Sequence, residues 1–161
     1  MDQTIKMLEK YTEYELKVSD LYMLFSRIFP EDSKFWFDLS LEEKDHASLI
    51  KSSIVYVRIG KFPSQMAYDC MDSIDSMLDL IDSRIERYSA ATPAKCEACR
   101  FALIVERSPC ETGFLKAMTT ETDDRVMQIL QKVGRLDALH YTRVDNLMQK
   151  FGCSNKDKES D

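Results

Sequence analysis

The sequence predicts an all-α protein built around an antiparallel four-helix bundle. Along four segments of the 161-residue chain, apolar residues recur every three or four positions, which is the spacing of one buried helix face. The chain has only four glycines and four prolines, and few segments alternate polar and apolar residues as strands do. These observations favour one helical domain, residues 1–151, followed by a polar tail, residues 152–161, that we expect to be disordered.

The composition narrows the classes of partner and compartment. The net charge is −6 and the pI about 5.0, so a nucleic-acid partner is not expected. No apolar run approaches the ~20 residues that span a bilayer, and the N-terminus lacks the apolar core of a secretory signal. We therefore expect a cytoplasmic protein without a membrane partner. The five cysteines, odd in number and scattered, fit a reducing cytosol better than a disulfide scaffold.

The first two helices are predicted to form an antiparallel pair. Helix 1 is expected over 4–28 and ends before Pro30, which cannot continue a helix. Helix 2 contains residues 36–57 and follows after a short connection, which favours antiparallel neighbours. One carboxylate interrupts the apolar face of each helix, Glu15 in the first and Glu43 in the second.

Helix 2 also carries His46 on the same face as Glu43. Residues three apart project from one side of a helix, and burying an unpaired carboxylate is expensive. A divalent metal ion would neutralise the carboxylate and use the imidazole nitrogen. The alternative is an exposed helix turn that contains Glu-x-x-His by chance.

The second half of the chain is predicted to begin with a helix that crosses the outside of the domain. This crossover helix is expected over 66–88, with one apolar face and one face rich in Asp and Ser. Thr92-Pro93 is a strong helix start, so helix 3 is expected from there to about residue 118. Pro109 should kink it, because proline removes a backbone hydrogen bond.

Helices 3 and 4 repeat the polar pattern of the first pair. Glu106 interrupts the apolar face of helix 3, and helix 4, expected over 122–151, carries Asp137 and His140 with the spacing found in helix 2. Mid-core, four carboxylates would balance two divalent cations, and two imidazoles would complete the ligand set. The predicted metal ligands are Glu15, Glu43, His46, Glu106, Asp137 and His140.

This arrangement resembles the ferritin-like carboxylate-bridged di-iron proteins, and within them the rubrerythrin-like branch. The resemblance covers about residues 5–150. The matching residues are Glu15 with Tyr22 seven positions on, FWFDLSLEEKDHASLI around Glu43 and His46, and ALIVE ending at Glu106. It implies a ferritin-like up-down-down-up bundle with a crossover helix between core helices 2 and 3.

The resemblance also implies a function and a set of partners. It implies a non-haem di-iron oxidoreductase, of ferroxidase or peroxidase type, that binds two iron ions and reacts with dioxygen or hydrogen peroxide. Glu43 and Asp137 would bridge the irons, and Glu15 and Glu106 would be terminal ligands. Manganese or a mixed-metal pair is an alternative to iron, because oxygen-rich ligand sets discriminate poorly. The chain lacks the two Cys-x-x-Cys pairs of a rubredoxin domain, so an external electron donor is expected; a homodimer is a further option.

Two departures from the family pattern motivate an alternative. Asp137 is one methylene shorter than the glutamate usual in the family, and Pro109 makes helix 3 less regular. The alternative function is a ferritin-like helical scaffold or interaction protein with a structural, partial or absent metal site.

Three further signals allow two interpretations each. Tyr22 either donates a hydrogen bond near the metal site or is a core aromatic residue bonded elsewhere. Glu42 either orients His140 as a hydrogen-bond acceptor or is a solvated surface side chain. Cys96-x-x-Cys99 either has a redox or metal function or has none, because a lone pair lacks the second pair of a zinc or iron site.

Overall fold

A computed structural model describes residues 2–60, 71–108 and 125–153, and over these ranges the chain is all-helical with no strand. The predicted all-α class is thus confirmed for the described residues. A short 3₁₀ turn, Pro30–Asp32, joins the first two α-helices. The α-helices are α1 Asp2–Ile28, α2 Ser33–Arg58, α3 Met71–Ala90, α4 Lys95–Glu106 and α5 Arg125–Lys150.

The directions of the helices follow from contacts between their side chains. α2 runs antiparallel to α1, since Tyr22 and Trp36 contact each other near the connecting turn, with ring centroids 5.5 Å apart. α3 runs parallel to α1, because Lys17 pairs with Asp82 at 2.7 Å and Lys10 pairs with Asp75 seven residues earlier on both helices.

α4 and α5 form a second antiparallel pair. Lys95 lies 4.8 Å from the ring centroid of Phe151, and the guanidinium of Arg107 lies 4.1 Å from that of Tyr141. α4 also runs antiparallel to α1, because the hydroxyl of Tyr14 donates to the carbonyl oxygen of Val105 at 3.1 Å while Lys95 reaches Glu31 beyond the end of α1. α5 therefore points in the same direction as α1.

An aromatic core joins four of these elements. The indole of Trp36 lies 5.0 Å from the ring of Phe25 and is 1% exposed, and Phe25 in turn contacts Tyr88 of α3. Tyr88 meets Phe101 of α4 edge-on at 6.2 Å. Burial of large aromatic side chains supplies most of the free energy that holds such a helix pair together.

The bounds of α4 correct two predictions. It begins at Lys95 rather than at Pro93, because Pro93 is buried in the extended segment before the helix and Ala94 accepts the first helical hydrogen bond, from Ala98. It ends at Glu106, which corrects the prediction of one unbroken helix that runs up to and through Pro109. Proline disfavours the helical conformation of the residue before it, and this explains why α4 ends before Pro109. Residues 109–124 and 61–70, which include the predicted kink and the start of the crossover helix, lie outside the described residues.

A glycine ends α5 and places Cys153 in the fold. Gly152 has φ +71°, its N–H donates to the carbonyl of Gln149, and the N–H of Cys153 donates to the carbonyl of Met148. This is the Schellman arrangement, which needs a residue that tolerates positive φ. Gly152 and Cys153, assigned to the tail from the sequence, therefore form an ordered helix cap; residues 154–161 lie outside the described residues.

The cysteines correct another prediction. Cys96 forms a disulfide with Cys153, which links the first turn of α4 to the cap of α5. Cys99 is a free thiol, and burial raises its pKa to about 12, so it is inert as a nucleophile. Cys96-x-x-Cys99 is thus neither a redox pair nor a metal pair. Because disulfides persist in oxidising compartments, the cysteines do not support a reducing cytosol.

None of the described helices is both long enough and apolar enough to cross a bilayer.

We predict that Cys153→Ser lowers the free energy of unfolding by about 4 kcal/mol, because the disulfide closes a loop of 57 residues and so restricts the unfolded chain. Urea denaturation with and without dithiothreitol measures the effect. The reductant should destabilise the natural chain by a similar amount and leave Cys153→Ser unchanged. Equal unfolding midpoints for all samples would mean that the two cysteines are not paired.

Candidate metal centre

Glu43 and His46 lie one helical turn apart on the inner face of α2, where both are buried, at 2% and 3% exposure. The Nδ1 of His46 lies 3.0 Å from the Oε2 of Glu43. The exposed Glu-x-x-His alternative is therefore wrong. The apolar residues one and two turns away on α2 bury the polar pair between the helices, because they face the core on both sides of it.

His140 reaches the same carboxylate from α5. Its Nδ1 lies 2.8 Å from the Oε1 of Glu43, and its side chain is 1% exposed. Each oxygen of Glu43 thus faces one imidazole. The rings of His46 and His140 stack with centroids 5.3 Å apart and planes inclined by 23°. The structure therefore brings together three of the six predicted ligands.

The electrostatics of the three side chains follow from this geometry. Burial opposes ionisation of Glu43, but hydrogen bonds from His140 and His46 outweigh it and lower the pKa of the carboxyl group to about 2. Burial likewise opposes protonation of His140, but the hydrogen bond and charge of Glu43 raise its pKa to about 9, with help from the charge of Glu106. Without a metal, the centre therefore holds a carboxylate and a cationic imidazole at neutral pH.

The other nitrogen of His140 is held by Glu42. Nε2 donates to the Oε2 of Glu42 at 2.7 Å, and Arg143 donates to the same oxygen at 2.6 Å. Burial of Glu42 opposes ionisation, but the bonds from Arg143 and His140 lower the pKa of its carboxyl group. The structure thus favours Glu42 as the group that orients His140. This contact leaves Nδ1 directed at Glu43. A carboxylate outside the ligand set fixes the ring orientation of a metal-binding histidine in the same way.

Sequence reasoning missed Arg143. It lies three residues after His140 on α5, and its guanidinium lies over the ring of Phe35 at 5.9 Å. A basic residue one turn from a buried histidine, facing an acid on a neighbouring helix, was the available signal. The sequence does not show which face of α5 meets α2, so the pairing needed the structure.

Tyr22 and Glu106 meet beside the three-residue group. The phenol hydroxyl of Tyr22 donates to the Oε1 of Glu106, the last residue of α4. Burial, followed by the charges of Glu106 and Glu43, raises the pKa of Tyr22 well above its ordinary value, so the phenol stays protonated. Of the two interpretations of Tyr22, the structure therefore favours a hydrogen bond near the predicted site.

The described residues do not show the other three predicted ligands, Glu15, Glu106 and Asp137, as members of this group. Glu15 is buried on α1 at 2% exposure, but among the described residues it does not belong to the group of three. The side chain of Asp137 lies outside the described residues, although the backbone there belongs to α5. The assignments of Glu15, Glu106 and Asp137 as ligands stay predictions.

The three gathered side chains have the chemistry of a cation site. Glu43, His46 and His140 each offer one ligand atom, and these atoms lie within 4.8 Å of one another. One carboxylate and two imidazoles suit zinc, iron, manganese and other first-row divalent ions. In the absence of an ion, the cationic imidazole of His140 compensates the charge of Glu43, because the pKa of His140 is raised to about 9.

Comparison with known proteins gave no family: no protein-family model, no curated protein and no solved structure matches this chain.

Proposed function

We propose that this protein is a non-haem di-iron carboxylate oxidoreductase that reacts with dioxygen or hydrogen peroxide, as a ferroxidase or a peroxidase. The observation that carries the proposal is the position of Glu43, whose two carboxylate oxygens each face the Nδ1 of a different buried histidine. Glu43, His46 and His140 would hold the metal ions, because each carboxylate oxygen of Glu43 already lies beside one imidazole nitrogen. Manganese or a mixed pair would fit the same donors.

The residues at the site fit such a centre. The Nδ1 atoms of His46 and His140 lie within hydrogen-bond distance of Glu43, so ions inserted between them would replace hydrogen bonds with coordinate bonds at short range. Glu106 lies close enough to raise the pKa of His140, which supports its assignment to the same half of the site. We propose Glu15 and Glu106 as terminal ligands and Asp137 as the second bridge.

The directions of the helices support the ferritin-like part of the proposal. α1 and α5 run one way and α2 and α4 the other, which is the up-down-down-up order of that bundle. α3 runs parallel to α1 and packs on it, as a helix would that carries the chain back between α2 and α4. We propose α3 as the crossover helix.

The chain's own residues would hold and tune the centre. Glu42 and Arg143 fix the ring of His140 through Nε2, and Tyr22 donates a hydrogen bond to Glu106. The aromatic core beside the site excludes water on the α1 side. Bound iron would supply the one-electron chemistry that these side chains cannot. Reduction of peroxide to water consumes two electrons and two protons, and we propose that an external donor provides the electrons.

A second candidate function rests on the same geometry. Both oxygens of Glu43 are already hydrogen-bonded by imidazoles, and Glu42 occupies the remaining nitrogen of His140. A buried polar network that is fully hydrogen-bonded can stabilise a unique core without any ion. This favours, as the alternative, a helical scaffold or interaction protein with a structural, partial or absent metal.

We predict that anaerobic loading with ferrous iron yields two irons per chain. The negative charge of the four carboxylates would balance two divalent cations, and the two imidazoles would complete the ligand set. Oxygen should then be consumed, with growth of an oxo-bridge absorption band. Elemental analysis and an oxygen electrode measure both results. Zero or one iron after reconstitution, with no oxygen uptake, would contradict the enzyme and favour the scaffold.

Histidine substitutions test which residues hold the metal. His46→Ala should remove nearly all iron, because it removes a ligand from the half with the full-length carboxylates and unsettles the carboxylates that both halves share. His140→Ala should leave about one iron, since the half of the site that contains His140 and the short side chain of Asp137 is the weaker one. Asp137→Glu should raise the iron occupancy of that weaker half. Unchanged iron content in both histidine variants would contradict the ligand set, and the reverse order of effects would exchange the two halves.

We predict that Glu42→Gln weakens binding of the second metal ion by about 10- to 100-fold, because the amide holds the ring of His140 less firmly and lowers its basicity. Competition with a chromogenic chelator measures the affinity. Asp45→Asn is the matched control, since Asp45 is an exposed acid on the same helix. Equal affinities for the two variants would show that Glu42 does not position His140.

Metal affinity should rise with pH. The pKa of His140 is about 9 in the metal-free protein, so at pH 7 a metal ion must displace a proton from the imidazole. The affinity for Zn²⁺ at the His140 position should increase nearly tenfold per pH unit from pH 6.5 to 8.5, while Glu43, with a pKa of about 2, contributes nothing over this range.

Calorimetry in buffers of different ionisation enthalpy counts the released proton directly. His140→Ala is the control and should bind the remaining ion with a shallower pH dependence. A pH-independent affinity in the natural chain would contradict coordination by His140.

A further inference from the structure

Arginine side chains gather on the outer sides of α3 and α4, although the chain as a whole is acidic. Positions 80, 84 and 87 of α3 recur at the spacing of one helix face, and so do positions 97, 100, 104 and 107 at α4. All seven side chains are at least partly exposed. The arginine surface, as we call it, consists of Leu80, Arg84, Arg87, Arg100, Ile104 and Arg107.

Contacts between α3 and α4 join the two faces into one surface. The Nη2 of Arg87 donates to the Oε1 of Glu97 at 2.9 Å, and the Nη1 of Arg84 lies 3.8 Å from the same oxygen. Because α3 and α4 are antiparallel and these contacts fix their register, Leu80 and Ile104 lie within about one helical turn of the same level. The two exposed apolar side chains therefore lie side by side, next to the arginines.

The guanidinium groups are held in place by contacts that leave most of their donors available. That of Arg84 lies over the ring of Phe101 at 5.3 Å, and that of Arg107 lies over the ring of Tyr141 at 4.1 Å. The Nε of Arg100 donates to a carbonyl of its own helix at 3.3 Å. A guanidinium has five N–H donors and pairs well with carboxylates, and prior ordering lowers the entropic cost of binding one.

Neighbouring acids do not cancel the charge of the arginine surface. Glu97 lies between Arg84 and Arg87, and on α5 Asp145 lies one turn after Tyr141 at the edge of the surface. Four guanidinium groups therefore share two carboxylates. This leaves a cationic surface on a chain whose net charge is −6.

The acids of α3 lie on a different side of that helix. Asp75, Asp79, Asp82 and Glu86 recur at the spacing of a second face. Asp75 and Asp82 pair there with lysines of α1, so this face is directed towards α1. The two signs of charge are thus segregated around α3, and the arginines are not screened by acids of their own helix.

We propose that the arginine surface binds an acidic segment of a partner protein, in which aspartate or glutamate residues flank an apolar residue. The apolar residue would contact Leu80 and Ile104, which are 36% and 50% exposed. Acids on one side of it would meet the three arginines level with the first turns of α4, and acids on the other side would meet Arg107. This inference does not depend on the proposed metal centre.

The composition of the surface favours a protein over nucleic acid. From residue 97 to residue 107 it is about 15 Å long, and its middle is apolar, whereas phosphate backbones offer nothing to contact Leu80 and Ile104. The acidic remainder of the chain would also repel an extended polyanion. Arginine is enriched at protein–protein interfaces, where apolar contacts supply affinity and complementary charges supply specificity.

Fluorescence anisotropy tests the proposal with a defined probe. The probe is a labelled peptide of about 12 residues that places two leucines between two groups of glutamates. It should bind the full chain with a dissociation constant below ~100 µM at ~50 mM salt, and about tenfold more weakly at ~300 mM salt, because salt screens exposed charges. The same peptide with lysine in place of every glutamate is the control and should not bind.

Charge-reversal variants locate the binding site. Arg87→Glu and Arg107→Glu should each raise the dissociation constant at least about tenfold. Arg58→Glu, which makes the same change of charge at an exposed position in the last turn of α2, should leave it unchanged. Arg87→Glu combined with Arg107→Glu should exchange the preference, so that the lysine peptide binds and the glutamate peptide does not.

An apolar variant separates the proposed contact from general attraction between charges. Ile104→Ser should weaken binding of the glutamate peptide about tenfold without changing its salt dependence, because the substitution removes an apolar contact and no charge. Circular dichroism of each variant establishes that the helices stay folded, and Arg87→Gln replaces Arg87→Glu if the reversed charge unfolds the chain.

Several results would overturn the proposal. They are no binding of the glutamate peptide up to ~1 mM at low salt, equal effects of Arg58→Glu and Arg87→Glu, and unchanged affinity in Ile104→Ser. Tighter binding of a single-stranded oligonucleotide or of vesicles of anionic phospholipid than of the peptide would likewise assign the arginine surface to a different class of partner.

Discussion

The contact between one buried carboxylate and two buried imidazoles constrains the rest of the structure. Glu43 cannot be ionised in an apolar core without partners, and His46 and His140 supply them from two helices. α2 and α5 must therefore pack at the height and rotation that bring His140 to the free oxygen of Glu43. Removal of either imidazole would leave a buried charge half-compensated, which usually costs more than the intact contact contributes.

The remainder of the fold holds these two helices in place. The aromatic core fixes α1 against α2, and α3 packs along α1 through lysine–aspartate pairs. The position of α5 depends also on α4, to which it is joined by the Cys96–Cys153 disulfide. The disulfide thus anchors the C-terminal end of the helix that carries His140.

The sequence by itself determined the helical class, the extents of α1 and α2, and the burial of Glu43 and His46, because periodicity and proline positions are local properties. It also identified His140 as a candidate ligand. Only the tertiary structure decided that His140 meets Glu43, that Glu42 and Arg143 hold its other nitrogen, that Cys96 pairs with Cys153, and that α4 ends at Glu106. These facts depend on how distant helices rotate and align, and a single helix's pattern does not encode which residue of another helix lies opposite.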